Sequence, residues 1–431
     1  MTLPVYPQSQ ATHQPFVIRG VHVLDPGGGF TAPLDVAVVD GRVQAADTSL
    51  PLGEAQDIED FTGQWLMPGI FDLHAHLVCF ADDTLRYLQM PVTRWTMECL
   101  ANARRLLELG ITFVRDPGGA DAGMRDGIAD GLAPGPTMQV AVSILSQTGG
   151  HADGFLPGPG LETSNGFLLS EYPGRPASIA DGVDGVRRAV REILRAGADW
   201  VKICTTGGLL SPGHDHPDAP EFAPDELDAI LSEARRKGKP VMAHAYGGEG
   251  LTNAVKAGVR SIEHGLRLTE EQAALMAKSD CWLVPTLVVM HELAAGARQG
   301  LFSEFVAQKV GEIEPILGEA VAIARSSGVK IALGSDLISQ GANLNELIHL
   351  HHAGMTAEEV LLAATVGGAE CCGVDDRYGR IEQGFAFDAI VLSDDPTKID
   401  VFGDPANVVE VFKGGHRVRS TSSELTVGGR S

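Results

Sequence analysis

His74 and His76 close the run Phe71-Asp72-Leu73-His74-Ala75-His76, an apolar segment that opens just after Met67-Pro68-Gly69. Side chains two apart on a strand leave the same face, so both imidazoles can bind one metal ion. Two buried histidines also find hydrogen-bond partners without a metal, and an isolated pair would read that way. Here four more ligand-type residues stand in or at the end of strand-like runs. Lys202 lies inside Asp199-Trp200-Val201-Lys202-Ile203-Cys204, where an unpaired ammonium is costly and needs an explanation. His244 follows Val241-Met242-Ala243, His264 ends Ser261-Ile262-Glu263-His264, and Asp336 stops Lys330-Ile331-Ala332-Leu333-Gly334-Ser335. Their shared position at strand ends predicts that they converge.

The elements that must position them alternate. Strand-like runs fall at Ile70 to His76, Ile111 to Asp116, Met138 to Leu145, Trp200 to Cys204, Val241 to His244, Ser261 to His264, Trp282 to Leu287, and Lys330 to Asp336. Helical stretches such as Met97 to Leu109, Val183 to Ala196, Pro224 to Lys237 and Glu270 to Lys278 fill most of the gaps. This is the pattern of parallel β/α units, and eight of them close into a (β/α)8 TIM barrel with its active site at the C-terminal strand ends. Both chain ends read differently. Val17 to Leu24, Asp35 to Val39, Asp388 to Leu392 and Val408 to Phe412 are rich in β-branched residues, and Asp40-Gly41 signals a hairpin. The expected organisation is a small β-sandwich domain from residues 1–67 plus 377–431, flanking a barrel over 68–376. The Gly- and Pro-rich interval from Gly149 to Ala180 is too long for a plain connection and reads as a substrate-facing loop.

A charge of 33 minus 56, or −23, argues against nucleic acid or an anionic membrane as partner and favours a small molecule. It is also compatible with a cationic substrate, although most such charge forms a solvated exterior. No segment has the length and apolarity of a membrane span. Met1 to Phe16 shows neither a basic start nor an apolar run, so the cytoplasm is the expected address. The six cysteines lack paired spacing and Cys371-Cys372 are adjacent, which argues against a disulfide framework.

With these residues in view, the chain resembles the amidohydrolase superfamily over nearly its whole length, from the H-x-H strand to Gly384-Phe385-Ala386-Phe387-Asp388-Ala389-Ile390-Val391-Leu392. The resemblance implies a binuclear centre. His74 and His76 would hold one metal ion and His244 and His264 the other, with Asp336 a ligand to the first. Lys202 would bridge both as a carbamate formed with carbon dioxide. Imidazoles and carboxylate oxygens suit Zn²⁺ first, although Mn²⁺ or Co²⁺ would also bind such a set. Two metals can share a bridging hydroxide as nucleophile and polarise the scissile carbonyl, while Asp336 moves a proton to the leaving amine.

Val201-Lys202-Ile203 followed by Thr205-Thr206-Gly207-Gly208 favours the two-metal branch. Gln147-Thr148-Gly149-Gly150-His151-Ala152-Asp153 and His244-Ala245-Tyr246 resemble the prolidase-like dipeptidases and carboxypeptidases, a branch related to imidazolonepropionase. In that group the equivalents of His151 and Tyr246 contact substrate near the scissile carbonyl. Family members often carry Gly where Ala152 stands. The resemblance also implies a homo-oligomer.

Other polar residues stay open between roles. Arg115 and Asp116 end the second strand and point towards the same mouth, either supporting the site or forming a salt bridge within the barrel. His349, His351 and His352 fall on a helix after the eighth strand, where their spacing allows at most one facing pair and a surface or subunit role. His214 and His216 lie in a loop after the fourth strand. The expected activity is hydrolysis of an amide bond in a dipeptide or N-acyl amino acid. The alternatives are a hydrolase of xenobiotic or cyclic amides or carbamates, and a metal-bearing binding protein that has lost catalysis.

Overall fold

The computed structural model describes residues 15–48, 50, 57–78, 90–153, 155, 172–210, 216–337 and 340–420. The described residues open with five strands, β1 (Phe16–Val23), β2 (Leu34–Val39), β3 (Arg42–Asp47), β4 (Asp57–Asp60) and β5 (Trp65–Pro68). It continues into the barrel through β6 (Ile70–Asp72), β7 (Ile111–Asp116), β8 (Thr137–Val140), β9 (Ile144–Leu145), β10 (Val201–Cys204), β11 (Val241–Ala245), β12 (Ser261–His264) and β13 (Trp282–Val284). Three more strands, β14 (Ala389–Leu392), β15 (Val408–Lys413) and β16 (His416–Ser420), end the described chain.

Strands from both ends share one sheet. Among the described residues its order is β16-β15-β14-β5-β1-β2-β3, with β4 added on β1. Asp40 and Gly41 both have positive φ, 49° and 71°, so the Asp-Gly signal does form the β2–β3 hairpin. Ile18, Val36, Leu66, Phe387, Val391 and Phe412 meet in one apolar cluster, which ties the two ends together by burial as well as by hydrogen bonds. The antiparallel β5–β14 pair runs straight into β6, so this sheet is joined to the first barrel strand.

The barrel is stitched from two parallel sheets, β6-β7-β8 and β9-β10-β11-β12-β13. The third strand read from sequence therefore divides. Its first half pairs with β7 and its second with β10, and Val142 between them takes φ 68°, a left-handed conformation unusual for a β-branched residue. The eighth segment makes no regular ladder. It is held by Leu283 N donating to Lys330 O at 2.9 Å and Ala332 N to Leu283 O at 3.0 Å on one side. On the other, Leu73 N donates to Leu333 O at 2.9 Å and Asp336 N to His74 O at 2.6 Å. The ring is thereby closed. The seventh strand stops at Val284, not at Leu287, because Thr286 turns left-handed (φ 52°) and starts the helix Leu287–Arg298.

Helices at Gly182–Arg195, Pro224–Arg236 and Glu270–Lys278 match the expected amphipathic runs to within a turn, while Val92–Glu108 begins more than a turn before its sequence signal at Met97. Phe71, Phe113, Trp200, Met242, Trp282 and Ala332 fill the floor of the barrel. Among the described residues no helix is long and apolar enough to cross a membrane, and the five cysteines are buried free thiols.

Candidate functional site

Strand alternation carries the core upward into the site. Trp200 packs the barrel floor, and Lys202 and Cys204, two and four residues on, face the cavity above it. Met242, His244 and Tyr246 repeat the pattern on β11. Two residues break the alternation with left-handed backbone, His264 at φ 74° and Asp336 at φ 55°. Such conformations cost of order 1–3 kcal/mol and cluster at functional sites. Here the kink lets Glu263 and His264, adjacent in sequence, both contribute to the barrel interior.

His74, His76 and Asp336 place one potential ligand atom each within 4.8 Å of one another. Nε2 of both histidines lies 3.4 Å from Asp336 Oδ1, and His264 Nδ1 lies 3.8 Å from Asp336 Oδ2. The His264 ring is 5.1 Å from that of His74 and 4.7 Å from that of His244. Lys202 is 2% exposed, faces the same cavity, and its Nζ has no hydrogen-bond partner. All six of these residues line the one cavity.

Each imidazole has one nitrogen already engaged. His74 Nδ1 donates to Glu263 Oε2 at 2.8 Å, and His76 Nδ1 donates to Gly118 O at 2.5 Å. His244 Nε2 donates to Gly207 O at 3.0 Å, and His264 Nδ1 pairs with Thr286 Oγ1 at 2.7 Å. This leaves Nε2 of His74, His76 and His264, and Nδ1 of His244, as free ligand atoms, the tautomer control that metal-binding histidines need. An orphaned buried amine among them meets the same test. The residues present fit a metal centre.

Burial, reinforced by Lys202, holds His74 well below its ordinary pKa and His76 down to about 4. Burial likewise depresses His244 and His264, so all four rings are neutral and able to ligate. It lowers the Lys202 ammonium and lifts the Asp336 carboxyl to about 7.

His151 stacks on His244 at 4.0 Å between ring centroids, and the Tyr246 ring lies 4.8 Å from His244. Both line the cavity. Burial, then Lys202 and Lys309, push His151 down to about 3. Leu210, Val289, Met290, Leu293 and Leu337, which share one apolar cluster, make one side of the cavity apolar, and Ile144 lines it from β9. Asp336 is its one acidic lining residue among those described. The acidic balance of the chain is thus not concentrated in the cavity.

Arg115 does not reach the mouth. Its guanidinium points into the barrel, donating to Leu73 O at 2.7 Å and to both oxygens of Glu263 at 2.8 and 2.9 Å, over the Trp200 ring. Asp116 accepts from the amides of Leu77, Gly118 and Ala120 and so orders the turn that presents Gly118 to His76. His349 stacks on His291 at 4.0 Å, away from the cavity, and His351 and His352 are exposed. His216 is exposed in its loop, while His214 falls outside the described residues. Glu263 was not singled out from sequence, although a carboxylate next to His264 in an apolar run carries the same signal as Lys202. Glu221, Thr286 and Glu346 had no such local signal.

The amidohydrolase family model matches residues 65–418. Ochratoxinase from Aspergillus niger is 34% identical over 363 residues, covering 81% of this chain and 75% of that protein. A crystal structure of a prolidase complexed with N-methylphosphonate-L-proline matches with a TM-score of 0.87 at 31% identity, covering 94% of this chain and 100% of the other. A Xaa-Pro dipeptidase with bound methionine in the active site gives a TM-score of 0.84 at 27% identity, covering 94% and 99%. The chain belongs to the amidohydrolase family and is a hydrolase of carbon–nitrogen bonds.

Proposed function

We propose that this protein is a binuclear metal-dependent amidohydrolase that cleaves the amide bond of a dipeptide or N-acyl amino acid bearing an apolar side chain. The observation that carries this reading is the cavity itself, a cluster of ligand atoms facing an apolar wall of Val289, Met290 and Leu293. Likeness to a prolidase, a Xaa-Pro dipeptidase and ochratoxinase supports it. His74, His76 and Asp336 would hold one metal ion, His244 and His264 the other, and Lys202, as the carbamate formed with carbon dioxide, would bridge them. Zn²⁺ is the first candidate for this donor set. Bound there, the metals supply Lewis acidity toward the carbonyl and lower the pKa of water.

The chain's own groups do the rest. Asp336 takes the proton from the attacking water as its oxygen bonds to the carbonyl carbon, and delivers it to the nitrogen as the C–N bond breaks. The products are a carboxylic acid and an amine, which become carboxylate and ammonium as the acid's proton passes to the amine. Neutral His151 and the Tyr246 hydroxyl donate to the carbonyl oxygen as negative charge develops on it. The apolar wall receives the side chain beside the scissile bond and displaces water from it. A small-molecule substrate, a cytoplasmic address and a homo-oligomer complete the proposal.

The test is a hydrolysis screen of dipeptides, N-acyl amino acids, aryl amides and carbamates on protein whose bound metal has been counted, with Asp336→Asn as control. Turnover of apolar dipeptides or N-acyl amino acids that is lost in the control supports the reading. Turnover of aryl amides or carbamates alone would leave the chemistry and overturn the substrate class. Metal-free protein at full activity would overturn both.

A further inference from the structure

We propose that Glu221 is a positioning residue of the reaction, fixing the loop that aims His151 at the scissile carbonyl. This rests on the reading of His151 as a donor to that carbonyl. Glu221 is 2% exposed and stands just before the helix Pro224–Arg236. Its Oε1 accepts from the His151 backbone N at 2.5 Å and its Oε2 from Ser146 Oγ at 2.7 Å, while Ser146 Oγ also accepts from Ala152 N at 3.3 Å. One carboxylate therefore holds both sides of the turn in which His151 sits.

The carboxylate is itself anchored to the metal-bearing strand. Glu221 N donates to Thr205 O at 2.9 Å, directly after β10, and Phe222 N donates to Gln147 Oε1 at 2.8 Å. Phe222 takes φ 56°, a left-handed conformation that a bulky residue adopts only where its surroundings impose it. His151 is thereby registered against the strand that carries Lys202, so the distance from donor to metal cluster does not depend on a free loop.

Two glycines make room for this arrangement. A Cβ on Gly150 would lie 2.3 Å from Glu221 Oε2, and one on Gly208 would lie 2.1 Å from the His151 ring. The ring is held between the Gly208 backbone and the His244 ring, and Glu221 sets its height in that slot. Misplacing a reacting group by about 1 Å can cost on the order of 10²-fold in rate.

The experiment is a double-mutant cycle of Glu221→Gln and His151→Ala on the metal-loaded enzyme, reading kcat, KM, metal content and Tm. Glutamine keeps the shape but cannot accept both hydrogen bonds. Glu221→Gln is expected to lower kcat about 10- to 100-fold with KM changed less than about twofold, at unchanged metal content. In the His151→Ala background it is expected to change nothing further. A full kcat in Glu221→Gln, or losses that multiply in the double variant, would overturn the proposal while leaving His151 its role. An undiminished kcat in His151→Ala would overturn that role and the positioning proposal with it. If Glu221→Gln folds poorly, Gly150→Ala displaces the same carboxylate without altering its charge and is held to the same outcomes.

Discussion

Glu263 Oε2 accepts from His74 Nδ1 at 2.8 Å while the same carboxylate is gripped by Arg115, at 2.8 and 2.9 Å. Ser261 Oγ adds a third donor, at 2.5 Å. One wholly buried acid thus fixes the tautomer and angle of a ligand-type histidine and neutralises a cation in the barrel floor. Glu263→Gln should weaken metal affinity about 10- to 100-fold, as loss of such outer partners does, measured by competition with a chelator. It should also lower Tm, since breaking a buried ion pair costs about 3–5 kcal/mol. Unchanged affinity would show that Glu263 serves the barrel alone.

Lys202 gives the sharpest test of the proposed bridging carbamate. Lys202→Ala should reduce bound metal and lower kcat by more than about 100-fold, beyond the effect of losing an outer partner. A short carboxylic acid added to the medium should restore part of both by standing in for the missing carbamate. Elemental analysis and kcat with and without the acid decide it. Full metal occupancy in the variant would remove Lys202 from the ligand set.

The apolar wall makes a prediction about selectivity. Met290 sits in the first turn of the helix Leu287–Arg298 and lines the cavity with Val289 and Leu293. Met290→Lys should cut kcat/KM for N-acyl-leucine by about 10- to 200-fold, the scale of an apolar-pocket mismatch. Relative activity on N-acyl-aspartate should rise. Parallel losses on both substrates would mean that the wall excludes water without reading the side chain.

Stability should depend on pH through Glu346. This fully buried carboxyl accepts from Leu287 N at 2.9 Å and Val288 N at 2.6 Å, the first amides of that same helix, and burial lifts its pKa to about 8. The unfolded chain releases this proton near pH 4.3, so between about 4.3 and 8 the folded state holds a proton that the unfolded state has lost. Its contribution is complete at low pH and fades as pH rises through that window, by up to ~1.4 kcal/mol per pH unit. Glu346→Gln, neutral throughout, should flatten the fall of Tm between pH 5 and 8 relative to wild type. Parallel curves would show that Glu346 does not titrate there.

Much of this was legible in the chain because strand alternation and strand ends are local signals. His74, His76, Lys202, His244, His264 and Asp336 each stood in or at the end of a readable apolar run, and each reaches the cavity. What escaped depends on distant partners. Nothing near Val142 announces that the third strand changes sheets, and the eighth segment owes its place to Leu283 and Leu73, not to its own ladder. Arg115 reads as a mouth residue until Glu263, on another strand, draws its guanidinium inward. Glu221 and Glu346 act on backbone amides far away in sequence, and no spacing rule records such a contact.

Asp336 N donates to His74 O at 2.6 Å, so the last barrel segment is fastened to the first at the very residues that offer ligand atoms to one ion. Ring closure and assembly of the site are consequently a single event. A nascent chain cannot present this pocket until residue 336 has docked, and a bound cation would act as a clasp across the seam, leaving the stripped protein to open there first.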